Sequence, residues 1–357
     1  MVNFQWSDIT DTGNHVFVIA EAGSNWKSGN YDDDLNQAKK LIDAASDAGA
    51  NAIKFQTYRA ETVYVSNAGN VDYLKKGKTT QQITDIFKHH EMPYDMIPIL
   101  HDYCNEKNIL FMSSPFSIQD AKEIDPFVEI HKVASFEINH VRFLEYLAKT
   151  NKPVLISTGA STYDEIDFVV NLFKKYQNNQ IALLQCTSKY PSPIEALNLS
   201  VIPEFQKRYD LPIGFSDHSI DPIIAPVLSV GYGARIIEKH FTLDKNLPGP
   251  DHSFALDPSE LGNMIKSIRL AEKTIGNGIK SILPEEQELR RFATRSIQAL
   301  RDIKKGEILE DGKNIAVLRP GNQSRGMEPR FLDDVIGKRA SKDIKSGEGI
   351  TDFSESL

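Results

Sequence analysis

Short apolar runs alternate with longer amphipathic stretches along most of this chain, and this alternation constrains the fold more than any other feature. The eight runs are HVFVIAE, NAIKFQT, NILFMSS, VEIHKVAS, PVLIST, QIALLQCT, LPIGFSD and ARIIEKH. Runs that are apolar throughout are typical of parallel strands buried on both faces of a sheet. The stretches between them, such as YDDDLNQAKKLIDAASDAGA, have the pattern of helices, and several end in Gly or Asn as helices commonly do.

Eight strand–helix units in succession predict an α/β protein with the (β/α)₈ architecture of a TIM barrel. The units extend over roughly 275 residues, which is close to the size of about 250 residues that is usual for such barrels. The alternative is an open, doubly wound parallel sheet, because that fold also alternates strands with helices.

A short repeat marks a second region beyond the alternating pattern. LRDIKKGEIL near residue 300 is echoed by SKDIKSGEGI near residue 341, so that the pattern Asp-Ile-Lys-x-Gly-Glu occurs twice. Two turn-plus-strand units predict a small β-rich domain, and the alternative is a pair of unrelated Lys-Gly turns. We therefore divide the chain into a barrel (1–283), a charged linking helix (284–296) and a small β-rich domain (297–357).

Charge and composition argue against several classes of partner. A net charge of −8 and a pI near 5.7 are unfavourable for binding nucleic acid or an anionic membrane. No apolar run approaches the roughly 20 residues of a membrane-spanning helix, and the N-terminus lacks the pattern of a signal peptide. The two cysteines, Cys104 and Cys186, are too few for a disulfide framework. We expect a soluble cytoplasmic protein without a nucleic-acid or membrane partner.

Every apolar run ends in polar or ionisable residues. In a TIM barrel the carboxyl ends of the strands carry the active site. In chain order these residues are Glu21; Lys54 and Gln56; Ser113 and Ser114; Lys132, Ser135 and Glu137; Ser157 and Thr158; Thr187, Ser188 and Tyr190; Ser216, Asp217 and His218; and Glu238, Lys239 and His240. Helix capping or a lysine with a buried stem explains any one of them, but eight successive strands ending in this way favour a ring of ligands.

One chemistry indicated by this ring is anion binding. Lysine charge combined with hydroxyl groups suits a ligand that carries a phosphate and a carboxylate. The candidate residues are Lys54, Lys132, Ser114, Ser135, Ser188 and Ser216.

The other chemistry is metal binding. His218 and His240 end adjacent strands, so their imidazoles are placed to share a divalent metal and to leave positions open for water and substrate. His252 is a competing ligand, but it follows a turn and is less favoured. Three carboxylates lie close by in the sequence: Asp217, Glu238 and Asp251.

The combination of motifs resembles the sialic acid synthases, which condense phosphoenolpyruvate with an N-acylated hexosamine to give a nine-carbon 2-keto sugar acid. The resemblance extends over nearly the whole chain. The barrel motifs are IAEAGSN, AIKFQTY, SSPFS, KVASFEINH, ISTGA, CTSKYPSP, IGFSDHS and IEKHFTLDKNLPGPDH. The tail ALRDIKKGEIL…NIAVLRPGN…GKRASKDI resembles the antifreeze-like (SAF) module of these synthases. FEINH, NLSVIP, DHSFAL and NIAVLRPG resemble especially the branch of spore-coat polysaccharide synthesis.

The chain departs from the family pattern at positions that bear on the sugar. Trp26 stands where the family usually has His. SFE at 135–137 is closer to the pseudaminate type, GPDH at 249–252 is closer to the neuraminate type, and Ser188 replaces an Asn found in some members. These mixed signals leave the sugar open between N-acetylmannosamine and a diacetamido-trideoxyhexose.

The resemblance implies roles for many residues of the ring. Phosphoenolpyruvate would bind among the lysines and serines, including Ser157. A Mn²⁺ or Mg²⁺ ion on His218 and His240 would polarise the open-chain aldehyde of the sugar. Glu21 would handle a proton, and Lys54 would belong to the catalytic set as well as to the phosphoenolpyruvate site. The sugar would be held by Gln56, Glu137, Tyr190 and Asp251.

The tail carries one further candidate, Arg319, in the sequence AVLRPGNQSRGMEP. The resemblance implies that this arginine reaches the sugar site of the partner subunit in a domain-swapped homodimer, where its guanidinium would bind an acyl carbonyl or a hydroxyl. The alternative is a solvated surface arginine.

Two other functions remain open at this level. A related phosphoenolpyruvate-dependent synthase acting on an aldose phosphate would need a further cluster of Arg or Lys for the second phosphate. A non-catalytic carbohydrate-binding protein would have no need for two His, two Lys and Glu21 together.

Overall fold

The chain divides into two compact units, Met1–Gly276 and Asn277–Leu357. The computed structural model describes residues 3–11, 13, 15–70 and 82–354. The first unit contains the eight apolar runs, and the second contains the segment 284–296 together with the repeat.

Eight parallel strands in the first unit form a nearly closed barrel. The strands are β1 (Phe17–Gly23), β2 (Ala52–Thr57), β3 (Leu110–Pro115), β4 (His131–Val133), β5 (Val154–Ser157), β6 (Ile181–Cys186), β7 (Ile213–Asp217) and β8 (Ile236–His240). Their hydrogen-bonded order is β3-β2-β1-β8-β7-β6-β5-β4, and the two end strands lie side by side. Because the first strand pairs with the last, the prediction of a TIM barrel is confirmed and the open sheet is excluded.

Helices pack around the strands of this unit. They are α1 (Ser7–Thr10), α2 (Tyr31–Asp47), α3 (Ala60–Val63), α4 (Ile83–His89), α5 (Met96–Glu106), α6 (Ile118–Ile124), α7 (Val141–Thr150), α8 (Tyr163–Lys175), α9 (Val201–Tyr209), α10 (Ile224–Gly231) and α11 (Pro258–Ile275). α2, α8 and α11 begin with capping boxes, in which an Asn, Thr or Asp and an acidic residue three positions later satisfy each other's backbone N–H groups. Among the described helices none is long and apolar enough to cross a membrane.

Alternation of side chains along the strands determines where the barrel is apolar and where it is polar. The amino-terminal part of the interior is filled by apolar side chains: Phe4, Ile9, Phe17, Ile19, Ala52, Leu110, Met112, Ile130, Leu155, Ala182, Leu184 and Ile236. A larger apolar cluster lies between the strands and the helices. Because strand side chains alternate with a period of two, the residue two positions after an interior apolar residue also faces the interior, nearer the carboxyl end.

The second unit consists mainly of short strands and turns. Its elements are α12 (Gln287–Ala293), β9 (Ser296–Ala299), β10 (Ile315–Leu318), α13 (Leu332–Val335), β11 (Arg339–Ala340) and β12 (Phe353–Ser354). β9 pairs antiparallel with β10, and β11 pairs antiparallel with β12, around a small apolar cluster. The prediction of a small β-rich domain after the barrel is confirmed.

The two copies of the sequence repeat bind each other within this unit. Ile303 and Ile344 exchange two backbone hydrogen bonds of 2.9 Å. Lys345 donates to Asp302 at 2.8 Å, and Lys304 donates to Asp343 at 2.9 Å. Each aspartate also accepts a backbone N–H from the other copy. The copies are therefore structurally equivalent turns, not unrelated ones.

Candidate active site

A layer of ionisable and hydroxyl side chains lies in the barrel just beyond its apolar filling. Each member follows an interior apolar residue or a glycine by two positions, as the alternation of strand side chains requires. The members are Glu21, Lys54, Ser114, Lys132, Ser157, Cys186, Ser216 and Glu238, with exposed fractions between 1% and 6%. Charged groups so thoroughly removed from water must neutralise one another or bind a ligand.

Lys54 brings four of the predicted site residues together. Its Nζ forms an ion pair with Glu21, which lies opposite in the register of β1 and β2, and donates to Ser114 Oγ at 3.0 Å. Gln56 Nε2 donates to the other oxygen of Glu21, Oε1, at 2.9 Å. Both oxygens of the Glu21 carboxylate are thus held by side chains of the adjacent strand.

Glu238 connects the two lysines, a role that the sequence does not predict, since there it is expected only as a carboxylate near the histidine pair. Its Oε2 lies 3.9 Å from Lys54 Nζ, and its Oε1 lies 3.6 Å from Lys132 Nζ. Ser216 Oγ donates to the same Oε1 at 2.9 Å. The alternation of β8 is the signal that identifies this residue, because Glu238 and His240 are two positions apart and must face the same side.

The intervening residue, Lys239, faces the opposite side of β8 and has a structural partner. Its Nζ lies 2.6 Å from Asp217 Oδ2 and donates to the carbonyl oxygen of Asp221 at 3.0 Å. Lys239 and Asp217 are both buried, so these two residues neutralise each other outside the polar layer.

Burial and mutual charge shift the pKa values within the layer. Burial raises the pKa of Glu21 to about 7, with Lys54 opposing this shift and Glu238 adding to it. Burial also disfavours the charge on Glu238, but Lys132 and Lys54 hold its pKa below the ordinary value. Burial lowers the pKa of Lys132, whereas Glu21 and Glu238 outweigh burial at Lys54 and raise its pKa. The layer therefore contains one carboxyl group that titrates near neutral pH.

Three serine hydroxyl groups and a glycine provide room and donors for anionic oxygens. Ser135 Oγ accepts the backbone N–H of Gly159 at 3.0 Å. A Cβ atom added at Gly159 would overlap Ser188 Oγ and lie 2.9 Å from Ser135 Oγ, so the absence of a side chain keeps this space open. Among the described residues, the buried hydroxyls of Ser157 and Ser188 have no hydrogen-bond partner. We call Ser135, Ser157, Gly159 and Ser188 the serine cradle; its unsatisfied donors suit phosphate or carboxylate oxygens.

His218 and His240 come together at the same end of the barrel. Their ring centroids are 5.3 Å apart. His218 Nδ1 donates to the carbonyl oxygen of Thr187 at 2.8 Å, which leaves Nε2 as the nitrogen for a ligand. His240 Nδ1 is buried and has no hydrogen-bond partner in the described part of the chain. Burial and the nearby His218 hold the pKa of His240 well below its ordinary value, so this imidazole is neutral.

The two imidazoles fit a divalent ion that also takes water and substrate oxygens. Over residues 3–11, 13, 15–70 and 82–354, no group of three or more His, Cys, Asp or Glu side chains is placed to hold a metal. Asp251 Oδ2 lies 3.9 Å from His240 Nδ1. Burial lowers the pKa of His218, but Cys186 and Thr187 outweigh burial and raise it. Two histidine nitrogens alone would leave most coordination positions of such an ion to water and substrate oxygens.

Aromatic rings and a carboxylate surround the histidine pair. The Tyr190 ring lies 4.2 Å from the His218 ring, and the Phe254 ring lies 5.1 Å from the His240 ring. Ser24 Oγ donates to Asp251 Oδ2 at 3.1 Å, and burial raises the pKa of Asp251.

A glycine allows two carboxylates to approach each other beside this pair. Gly23 has a φ of +51°, which few other residues adopt without strain. A Cβ atom there would lie 3.0 Å from Asp251 Oδ2 and 3.3 Å from Glu21 Oε1. Glycine at this position therefore leaves the gap between them open.

The remaining predicted residues lie at several places. Glu137 is half-buried in a short 3₁₀ turn after Ser135, and burial raises its pKa to about 7. Trp26 is fully buried in the outer apolar cluster, so it serves packing. Arg319 directly follows β10 in the second unit. His252 is buried, with its Nδ1 2.7 Å from Thr242 Oγ1.

Comparison with known proteins identifies sequences similar to this chain. Residues 41–280 match the NeuB family, and residues 294–352 match the SAF domain. The chain is 41% identical over 351 residues to the spore coat polysaccharide biosynthesis protein SpsE of Bacillus subtilis, covering 94% of this chain and 92% of that protein. It is 37% identical over 345 residues to the pseudaminic acid synthase of Campylobacter jejuni, covering 95% of this chain and 96% of that protein.

A solved structure extends the similarity to three dimensions. The crystal structure of SpsE from Bacillus subtilis matches with a TM-score of 0.63 at 40% sequence identity and covers 94% of each chain. The matched part of the chain includes residues of both the barrel and the small β-rich unit.

Proposed function

Because the chain belongs to the NeuB family of sialic acid synthases and carries a SAF domain, we propose that it condenses phosphoenolpyruvate with an N-acylated hexosamine. Water is the third reactant, and the products are a nonulosonic acid and inorganic phosphate. The observation that carries this proposal is the meeting of two lysines, the serine cradle and the histidine pair at one end of the barrel. The similarity of the chain to a pseudaminic acid synthase supports a nonulosonic acid as the class of product.

Phosphoenolpyruvate would occupy the half of the site that contains the lysines. Lys54 and Lys132 supply the positive charge for its carboxylate and phosphate groups, and the serine cradle supplies hydrogen bonds. Ser157 and Ser188 would donate the hydroxyl hydrogens that have no partner among the described residues. The anion would thereby satisfy groups whose burial otherwise costs free energy.

Glu21 would hold or release a proton during the reaction. Its pKa of about 7 places the group near the optimum for general acid–base work at neutral pH. When an anion approaches Lys54, the ion pair between Lys54 and Glu21 weakens, and a proton on the carboxyl group restores neutrality. The second carboxylate, Glu238, stays ionised because it faces both lysines.

The sugar would lie over the histidine pair. His218 and His240 would hold a Mn²⁺ or Mg²⁺ ion, which when bound supplies Lewis-acid polarisation of the sugar aldehyde. Thr187 fixes the His218 ring through its carbonyl oxygen. The sugar hydroxyls and the acyl group would be held by Gln56, Glu137, Tyr190 and Asp251.

The bond changes follow from this placement. C3 of phosphoenolpyruvate attacks the aldehyde carbon of the sugar, whose oxygen takes up a proton and becomes a hydroxyl group, and the new carbon–carbon bond leaves positive charge at C2. Water adds at C2, and the tetrahedral intermediate expels phosphate by C–O cleavage. A polar layer with one titrating carboxyl group can accept the proton from that water.

The test is phosphate release from phosphoenolpyruvate with a panel of sugars. N-acetylmannosamine, diacetylated bacillosamine-derived sugars, mannose and an aldose phosphate are each supplied to the chelated protein with and without Mn²⁺. We expect release only with an N-acylated sugar and only with metal. Release with mannose or with an aldose phosphate but with no N-acylated sugar would refute the proposal, and so would binding of the sugars without any turnover.

A further inference from the structure

The loop after β8 contains a buried pair of side chains that the mechanism above does not use. We propose that Thr242 and His252 form a positioning pair, which holds Asp251 over His240 in the geometry that the sugar requires. The consequence for the sugar rests on the proposed function, whereas the consequence for the loop does not.

The loop leaves the barrel and returns to the same point of β8. The backbone N–H of Thr242 donates to the carbonyl oxygen of Leu256 at 2.8 Å, and the N–H of Leu256 donates to the carbonyl oxygen of His240 at 2.8 Å. Residues 243–255 therefore form a closed loop whose two ends are hydrogen-bonded beside His240. Such a closed loop needs internal contacts of its own to take one conformation.

His252 supplies one such contact, which joins the returning part of the loop to its start. Its Nδ1 lies 2.7 Å from Thr242 Oγ1, and the two residues are 1% and 0% exposed. On the other side of the ring, a Cβ atom added at Gly249 would lie 2.7 Å from His252 Cδ2. The imidazole is thus held between the strand end and the far part of the loop, with Nδ1 engaged by a hydroxyl group.

This arrangement determines the position of Asp251 near His240. It directly precedes His252, and its Oδ2 lies 3.1 Å from Ser24 Oγ and 3.9 Å from His240 Nδ1. Its carbonyl oxygen accepts the N–H of Ala255 at 3.2 Å, which fixes the turn that follows. A shift of the backbone at His252 would therefore also move Asp251, its neighbour in the chain, relative to the histidine pair.

The pair has a role distinct from both the metal site and the phosphoenolpyruvate site. The hydroxyl group of Thr242 contacts residues of its own loop: it lies 2.7 Å from His252 Nδ1 and donates to the carbonyl oxygen of Asp244 at 3.2 Å. Disturbing the pair should weaken sugar binding while leaving the anion site intact. The pair acts on the sugar through Asp251. The effect of losing Asp251 and the effect of losing the pair on sugar binding should therefore not be additive.

The experiment compares Thr242→Val with Thr242→Ser. Valine keeps the shape of threonine but removes the hydroxyl, whereas serine keeps the hydroxyl. We expect Thr242→Val to raise the KM for the N-acylated sugar about tenfold, to change the KM for phosphoenolpyruvate less than twofold, and to leave stoichiometric Mn²⁺ binding intact. Thr242→Ser should stay within threefold of the wild type. Thr150→Val, which removes a hydroxyl group bonded to Leu147 at the end of α7, is the matched control.

Hydrogen exchange of residues 251–255 tests the pair independently of catalysis, because the N–H of Asp244 bonds directly to Thr242 Oγ1 and would respond to Thr242→Val in any case. Exchange in this segment should become about tenfold faster in Thr242→Val, but not in Thr242→Ser or Thr150→Val. If Thr242→Val fails to fold, His252→Asn and His252→Leu provide the same contrast, since only asparagine keeps a polar group for Thr242. Unchanged exchange in the variants that lack the bond, equal KM effects on both substrates, or additivity with Asp251→Asn would each overturn the proposal. If the wild type turns over no sugar at all, the proposed function fails, and the exchange result alone decides this inference.

Discussion

Lys54 and Glu21 form a buried ion pair across two neighbouring strands, where the anionic substrate is proposed to bind. Their side chains are 4% and 2% exposed. A buried ion pair contributes little net stability, but removing one partner leaves an uncompensated charge in a medium of low polarity. A substrate carboxylate or phosphate that reaches Lys54 therefore competes with Glu21. Because the pKa of Glu21 is about 7, this carboxyl group can leave the ion pair by taking up a proton.

Replacing Lys54 or Lys132 by Ala should raise the KM for phosphoenolpyruvate far more than the KM for the sugar. A charge-assisted contact of about 1.5–3 kcal/mol corresponds to roughly a ten- to hundredfold effect. Steady-state kinetics with the other substrate saturating measures each constant. Lys122→Ala, on the exposed face of α6, is the control and should leave both constants unchanged. Equal increases for the two substrates would contradict the assignment.

His218→Ala and His240→Ala should each abolish turnover and stoichiometric binding of Mn²⁺. Each substitution removes one of only two nitrogen donors, so the remaining ring cannot hold the ion. Electron paramagnetic resonance of added Mn²⁺ measures binding, and readdition of Mn²⁺ to the chelated wild type should restore its activity. His89→Ala, at the exposed end of α4, should behave as wild type. A double variant that still binds one Mn²⁺ and turns over normally would place the metal elsewhere.

Gly159→Ala should damage the phosphoenolpyruvate site without unfolding the barrel. The added methyl group would occupy the space between Ser135 and Ser188, so we expect the KM for phosphoenolpyruvate to rise at least tenfold. Gly262→Ala is the matched control, because no atom lies within 4 Å of its added methyl group and it lies inside α11. That variant should be active and more stable by about 0.5–1 kcal/mol, since Ala favours helix over Gly. Normal kinetics in Gly159→Ala would show that the cradle does not hold the anion.

Glu137 should make the stability of the protein depend on pH. Burial raises its pKa to about 7, so the folded state binds the proton more tightly than the unfolded state. Its contribution is present below pH 4.5 and is lost as the pH rises towards 7. Over this pH range the free energy of unfolding, measured with urea, should fall by about 1–2 kcal/mol less in Glu137→Gln than in the wild type. This figure allows for the partial exposure of Glu137. Glu129→Gln, an exposed substitution, should follow the wild type. If the free energies of unfolding of Glu137→Gln and the wild type change with pH in parallel, the raised pKa of Glu137 is disproved.

The barrel was predictable because its strands are apolar on both faces and its helices end in recognisable residues. The ends of parallel strands meet at one edge, so Lys54, Lys132 and His240 could be placed together without coordinates. The sequence prediction does not pair Glu238 with the lysines, because it treats the polar residues as one ring and does not use the two-residue alternation of each strand. Applied to β8, that alternation separates Glu238 from Lys239.

Other parts of the site depend on contacts that no local pattern contains. The approach of Ser135 and Ser188 to Gly159 joins three different strand ends, and its closeness is set by packing. The engagement of His252 by Thr242 likewise depends on how the loop after β8 closes. Sequence spacing alone made His252 a competing metal ligand, whereas the fold turns its Nδ1 to a hydroxyl group.

Arg319 is expected to complete the sugar site of a partner subunit in a homodimer. The barrel closes without the second unit, so residues after 276 are available for another role, and family resemblance implies that this arginine reaches across. Arg319→Ala and Glu21→Ala chains should each be nearly inactive. When the two are refolded together, mixed dimers hold one intact composite site, so part of the activity should return. Arg330→Ala, whose exposed guanidinium pairs with Glu328, should be active alone and serves as the control. Proven mixed dimers without any recovered activity would mean that Arg319 serves its own barrel or none.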